Sequence, residues 1–290
     1  MDGLDGARLE LFRLEQKEKG LLGDGNFTIP KDISAPPSLT ALDFRCKFFS
    51  NATFLQSTTL SQQLTSISLL GSLLSEALGS NTIHFPLLEK LSLRGVGLKQ
   101  FFRTIIAPKL RHVEYIPGFL EPGHGDIFVD LRSKFSNVQF FAFEYLTLRE
   151  KDSPNAAKLI CLAFPNVLHA DLELSAENAF FEFMEGSRAV DYWDHIQTLT
   201  IKTAYLPWRV TENFIEWLSA RLARGLPKLH VKMIHKRGGG SRRVKPFLSS
   251  DNMDNYCIVE MVDAPRHSYY LEKEYVFSSG PALLEIDFVL

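Results

Sequence analysis

Histidines, carboxylates and clustered cations are where chemistry would begin in this 290-residue chain. His124 and Asp126 share the segment EPGHGD (121–126), and such a pair can move a proton. No nucleophile or third member stands in that stretch, so its glycines and proline read as turn chemistry. His195, His230 and His235 invite a metal reading. The interval between the last two fits no common helix face, and no cysteine or carboxylate completes a ligand set. Lys236, Arg237, Arg242, Arg243 and Lys245 cluster in KRGGGSRRVK (236–245). A phosphate or nucleic-acid contact competes there with a plain exposed loop, which is the expectation. RGVG (94–97) has glycines without a phosphate-binding frame, and GxSxG, HExxH, GxxxxGK[ST] and GxGxxG are all missing. The expectation is a protein that is not an enzyme, with no cofactor and no metal.

The bulk composition suits a globular protein. The chain is 45% hydrophobic and 23% charged, with 23 phenylalanines to build a core and a net charge of -2 that favours neither nucleic acid nor an anionic membrane. Cys46, Cys161 and Cys257 are widely spaced without CxxC pairing, against a disulfide framework or a cysteine-rich zinc site. The N-terminal residues are too charged for a signal peptide, and no apolar run approaches the roughly 18–20 residues that span a bilayer. The cytoplasm or nucleus, with no membrane contact, is the expected setting.

What could position functional side chains is a recurring frame, apolar-x-x-apolar-x-apolar. It starts at Leu39, Leu64, Leu88, Leu110, Val138, Val167, Ile196 and Leu226, and more weakly at Tyr256 and Leu283. The mean interval is about 27 residues, in the range of leucine-rich-type repeats. Three apolar positions alone match often by chance. Prolines are better evidence: Pro37, Pro86, Pro108 and Pro165 each stand two positions before the first apolar residue, where a strand entry tolerates a missing N–H.

Between the copies, TENFIEWLSARLARG (211–225) predicts a helix with Thr211 as N-cap and Gly225 as C-cap. SPNAAKLICLAF (153–164) and SAENAFFEFMEGS (175–187) also carry helical spacing, and FFRTIIAP (101–108) predicts a short helix stopped by proline. Trp193, Trp208 and Trp217 are expected as core or helix anchors. Short strands alternating with helical or loop returns predict an α/β fold, an irregular leucine-rich-repeat-like solenoid of about ten parallel strands. Residues 1–35 are expected to form an N-terminal cap, with a charged helix from Arg8 to Lys19 and then a loop. Residues 36–290 would be the solenoid, with a flexible insertion at about 236–255. A chain ending at Leu290, almost inside a strand, suggests truncation.

FPLLEKLSLRGVGL (85–98), IIAPKLRHVEY (105–115), FPNVLHADLEL (164–174) and WDHIQTLTIK with FIEWLSARLARGLPKLHV (193–202, 214–231) resemble the leucine-rich-like half of large fungal F-box protein families. The similarity covers roughly residues 36–235. It implies a protein-protein interaction module, and in the family an F-box docks such a receptor onto the Skp-type adaptor of a ubiquitin ligase. No F-box pattern stands in residues 1–35. The reading is therefore a non-enzymatic F-box/LRR-like protein lacking an F-box. The alternative is a substrate-recognition subunit of an SCF-type ubiquitin ligase whose F-box lies outside this chain. A regular leucine-rich repeat also has Asn or Cys at the ninth position. This chain has Lys47, Ser72, Val96, Gly118, Leu146, Ser175, Ala204 and Ile234 there, which predicts variable twist.

If the frame faces the core, its third, fifth and seventh positions share the open face. That face would hold Lys90, Ser92 and Arg94, then His112, Glu114 and Ile116, then Phe140, Ala142 and Glu144. His169, Asp171 and Glu173 follow, then Thr198, Thr200 and Lys202, then Lys228, His230 and Lys232. An acidic stretch (Glu144, Asp171, Glu173) would precede a basic one (Lys202, Lys228, Lys232). A solvated face is one reading, and a binding surface for a charged protein partner of unknown identity is the other.

Overall fold

A computed structural model of the chain describes residues 11–18, 27–28, 39–51, 58–73, 82–96, 99–117, 128–129, 131, 134–145, 156–174, 189–203, 210–235, 255–263 and 282–289. The apolar frame does what its spacing implies. Leu39, Leu42 and Phe44 are buried, and so are their equivalents in the six following copies, from Leu64, Ile67 and Leu69 to Ile196, Leu199 and Ile201. The fourth and sixth positions lie on strands, where alternate residues share a face, so one side of each sheet is core.

The architecture is mixed α/β and divides into two compact units, Met1–Glu121 with Val276–Leu290, and Pro122–Tyr275. The first contains β1 (Leu11–Glu18), β2 (Phe27–Thr28), β3 (Ala41–Asn51), β4 (Ser66–Leu73), β5 (Ile83–His84), β6 (Lys90–Val96), β7 (Ile105–Ile106) and β8 (His112–Pro117). Helices α1 (Thr58–Gln63) and α2 (Lys99–Thr104) lie between them in the chain. Strands β1, β3, β4, β6 and β8 are successive parallel neighbours, while β5 and β7 form a separate parallel pair. The second unit contains β9 (Phe140–Tyr145), α3 (Ala156–Ala163), β10 (His169–Leu174), β11 (Thr198–Thr203), α4 (Val210–Ala223), β12 (Leu229–His235) and β13 (Cys257–Asp263). Its five strands are parallel in chain order.

The repeat is also visible in the backbone. Thr40, Thr65, Glu89, Gln139 and Leu168 occupy one frame position, and each carbonyl accepts two consecutive N–H groups of the next copy at 2.8–3.1 Å. The turn before the strand recurs as well. Leu88 donates to Phe85, Leu110 to Ala107, Val138 to Phe135 and Ile196 to Trp193. Pro86 and Pro108 thus stand second in four-residue turns, where a fixed φ helps and no N–H is needed.

Three expectations need correction. The segment expected as a helix from Arg8 to Lys19 contains strand β1, paired in parallel with β3 along Leu11–Glu15. Its residues are good helix formers, but an open sheet edge supplies ladder partners that outweigh local propensity. The copy at Leu283 is β14 (Ala282–Val289), and it runs antiparallel to β1 in the first unit, not parallel beyond β13. Apolar spacing reports a buried face; it carries no information on strand direction.

The third correction is the frame at Leu226. Thr198 pairs with His230 and Thr200 with Lys232, two residues later than expected. Leu229 and Val231 are the buried residues, and Leu226 is only half-buried. The cause is the end of α4. Gly225 adopts φ +77°, its N–H bonds Leu222, and the Leu226 N–H bonds Arg221, a Schellman closure that takes the place of the usual turn. The expected Gly225 cap is present; Val210 precedes Thr211 in the helix. His124, Asp126, Trp208, the helix expected at 175–187 and the insertion at 236–254 lie outside the described residues.

Candidate protein-binding faces

Opposite the core, each unit presents a sheet face on which register aligns side chains into rows running across the strands. In the first unit, the first row is Ala41, Ser66, Lys90 and His112, and the second is Asp43, Ser68, Ser92 and Glu114. The third row is Arg45, Leu70, Arg94 and Ile116. The sites expected at Lys90, Ser92, Arg94, His112 and Glu114 therefore come together on adjacent strands.

Glu114 organises this face. Its carboxylate accepts from the Ser92 hydroxyl at 2.7 Å and from the Arg94 guanidinium, while Ser92 is only 6% exposed. Burial pushes the Glu114 carboxyl up, but the Ser92 hydrogen bond, the charge and hydrogen bond of Arg94, and the His112 charge together hold it below the usual carboxylate range. Burial, with Lys90 alongside, lowers the His112 imidazole against the opposing pull of Glu114. Asp43 holds Arg45 in a similar way at 3.3 Å. Gly95 adopts φ +136°, and a Cβ there would meet the carbonyl oxygen of its strand neighbour Gly71 at 1.7 Å, so this glycine of RGVG is a packing device.

In the second unit the rows read Phe140, His169, Thr198, His230 and Ile258, then Ala142, Asp171, Thr200, Lys232 and Glu260. The third is Glu144, Glu173, Lys202 and Ile234. Of the ion pairs here, Lys202–Asp171 is as buried as Arg94–Glu114, and those of Glu260 are more exposed. Lys202 reaches Asp171 at 2.8 Å, and Glu260 accepts from Lys232 at 3.1 Å, with His230 at 3.4 Å. The expected acidic and basic stretches therefore interlock. Lys228 lies outside β12 and off the rows, because of the two-residue shift. Glu260, Asp43 and Arg45 were absent from the expected face, although the same frame, extended to the copies at Leu39 and Tyr256, would have included them.

The turns carry contacts that sequence spacing did not signal. In the second unit, Trp193 Nε1 donates to the Phe164 carbonyl at 2.9 Å, and Asn166 Nδ2 donates to Ser136 at 2.9 Å. Arg221, 2% exposed, donates to the carbonyls of Ile196 at 2.9 Å and Trp193 at 3.4 Å and lies over the Trp217 ring. These side chains tie successive turns together, as an asparagine ladder would in a regular leucine-rich repeat. Trp193 and Trp217 are thus the anchors expected of them. The buried thiol of Cys161 is pushed well above its ordinary range by desolvation, which makes it a poor nucleophile.

Among the described residues, no group of His, Cys, Asp and Glu is arranged to hold a metal ion, and no helix is long and apolar enough to cross a membrane. His230 faces Glu260, not His195. Compared with protein-family models, with curated proteins and with solved structures, the chain matches none.

Proposed function

We propose that this chain is a non-enzymatic protein-protein interaction module, a leucine-rich-repeat-like array of the fungal F-box type with no recognisable F-box pattern in residues 1–35, acting in the cytoplasm or nucleus. Its partners dock on the open sheet faces. One observation supports this most directly: in each unit the register aligns polar and charged side chains, interspersed with apolar ones, into rows on the side away from the core. A fixed, preorganised lattice of that kind offers a partner many contacts at little conformational cost. Resemblance of residues 36–235 to the F-box families points the same way, and so does the absence of catalytic motifs from the sequence.

The test is bulk placed on the face. Thr200→Trp adds a large ring in the middle row without touching the core side, and Glu216→Trp adds the same ring on an exposed helix position. Partner capture by affinity purification should be lost with Thr200→Trp and retained with Glu216→Trp; equal capture by both variants would refute docking on the second unit's face. Stoichiometric co-purification with a Skp-type adaptor would instead favour the ligase-receptor alternative, with its F-box supplied from outside this chain.

A further inference from the structure

We infer that the corner where the first unit's chain enters β6 and β8 receives an acidic peptide segment carrying aliphatic side chains. This goes beyond docking on the open sheet faces, because the corner is made largely by the turns that lead into the strands. Its cations are Lys90 at the start of β6, and Lys109 and Arg111 just ahead of β8; all three are exposed. The backbone gathers them. Lys90 and His112 are register partners, and the N–H groups of Arg111 and His112 both bond the Glu89 carbonyl at 3.0 Å. Neighbouring strands lie about 4.8 Å apart, so the three cations crowd one end of a single strand pair.

Their charge is not committed within the protein. Among the described residues none of the three forms an ion pair or a side-chain hydrogen bond, unlike Arg45, Arg94, Lys202 and Lys232 on the faces. Glu89 stands at the corner too, one copy before Arg111 at the same frame position. Glu114, further along β8, is matched by Arg94. The His112 imidazole, lowered by burial and then by Lys90, stays neutral. Three cations against one carboxylate leave two net positive charges. Carboxylates entering there turn mutual repulsion into charge-assisted hydrogen bonds, two of them from the fork of Arg111. Aliphatic surface lies on the same turns. Leu87, 37% exposed, holds in its turn the place that Lys109 holds in the next, and Ile106, 42% exposed, accepts from the Phe85 N–H at 2.8 Å. A nucleic-acid strand would want aromatic platforms, but Phe85, Phe101 and Phe102 are fully buried, so a peptide is the better fit. The basic sign is particular to this corner. In the second unit the matching turn positions, Asn137, Gln139, Asn166, Leu168, His195 and Gln197, include no lysine or arginine.

The experiment titrates the full chain into two short fluorescent peptides, one of glutamate, leucine and serine and one of lysine, leucine and serine. A labelled oligothymidylate is the third probe, and anisotropy is followed at low and high salt. The glutamate peptide should bind, more weakly as salt rises, and the lysine peptide should not. Lys109→Gln with Arg111→Gln should weaken that binding about tenfold. The control Arg224→Gln with Lys228→Gln removes the same charge from exposed positions of the second unit and should leave binding unchanged. Leu87→Ser should weaken the leucine-bearing peptide and leave one of glutamate and serine alone unaffected. Preference for the lysine peptide, or equal affinity of the two double variants, overturns the inference. So does tighter binding of the oligothymidylate that Lys109→Gln with Arg111→Gln abolishes, since the corner would then take nucleic acid. Self-association in sedimentation lost in the same variant overturns it as well, the occupant being a second copy of this chain.

Discussion

The two units build their sheets from the same strand-and-turn unit but differ in the polar side chains that tie neighbouring copies together. In the first, Ser92, Arg94 and Glu114 form a half-buried network on the open face, and Gly95 brings its strand against Gly71. In the second, the Lys202–Asp171 pair bridges strands on the open face at a similar depth, and Trp193 and Arg221 add ties to backbone carbonyls at the turns. Rings fill the core of both, Phe102 against Tyr115 in the first and Phe141 against Phe164 in the second, so the two units differ in the turns more than in the core.

That contrast can be broken or sharpened by substitutions. Phe164 lies 4.6 Å from Phe141, 5.5 Å from Phe135 and 5.8 Å from Phe128 between ring centroids. Phe164→Ala should cost about 3–5 kcal/mol in chemical denaturation through the cavity it leaves. If it costs under about 1 kcal/mol, the second unit is not held from its core side. Gly95→Ala forces the clash with Gly71 and an unfavourable φ, and should cost about 3 kcal/mol in the same assay. Arg221→Met removes the turn ties while keeping most of the apolar stem, with an expected loss of about 2 kcal/mol.

Ser92→Ala should cost about 1 kcal/mol at neutral pH, a value reduced from that of a fully buried charged hydrogen bond because Glu114 is partly exposed. The loss should be pH-dependent. Glu114 has a depressed carboxyl, so its contribution is fully present above the ordinary carboxylate range and disappears as pH falls through its folded value. The two proteins should therefore converge in stability under acid. His112 adds a separate effect in both. Its lowered pKa favours the neutral ring, so stability declines as pH drops through the ordinary histidine value of about 6.5 towards the folded one. The smallest change should be Lys202→Ala, below about 1 kcal/mol, because its pair with Asp171 is solvent-screened. A cost matching that of Arg221→Met would erase the distinction between the units.

Much of the fold was legible because burial imposes a period. Seven copies of the apolar frame are buried as expected, from Leu39 to Ile201, and α4 ends at the glycine its sequence marks. What was not legible depends on information that period two does not carry. The direction of β14 and the strand state of β1 are decided by partners far away in sequence. The Ser92–Glu114 contact spans two copies, so it follows from register once the strands are paired, not from either segment alone. Arg221 lies off the apolar spacing that marks its helix, yet its guanidinium reaches the turn before β11.

The displaced entry of β12 has a consequence for how such a chain can evolve. Because side chains alternate strictly along a strand, a slip of two residues returns each to the face it left, whereas a slip of one would turn the core outward. Between α4 and β12 the slip left Leu229 and Val231 inside and His230 and Lys232 outside. Return segments can change length and keep both faces intact, as the uneven intervals between the seven buried copies show, while the spacing that identifies the repeat drifts. Selection on the faces would preserve alternation within each strand and let the returns wander, so kinship among such chains is better sought in alternation than in a fixed interval.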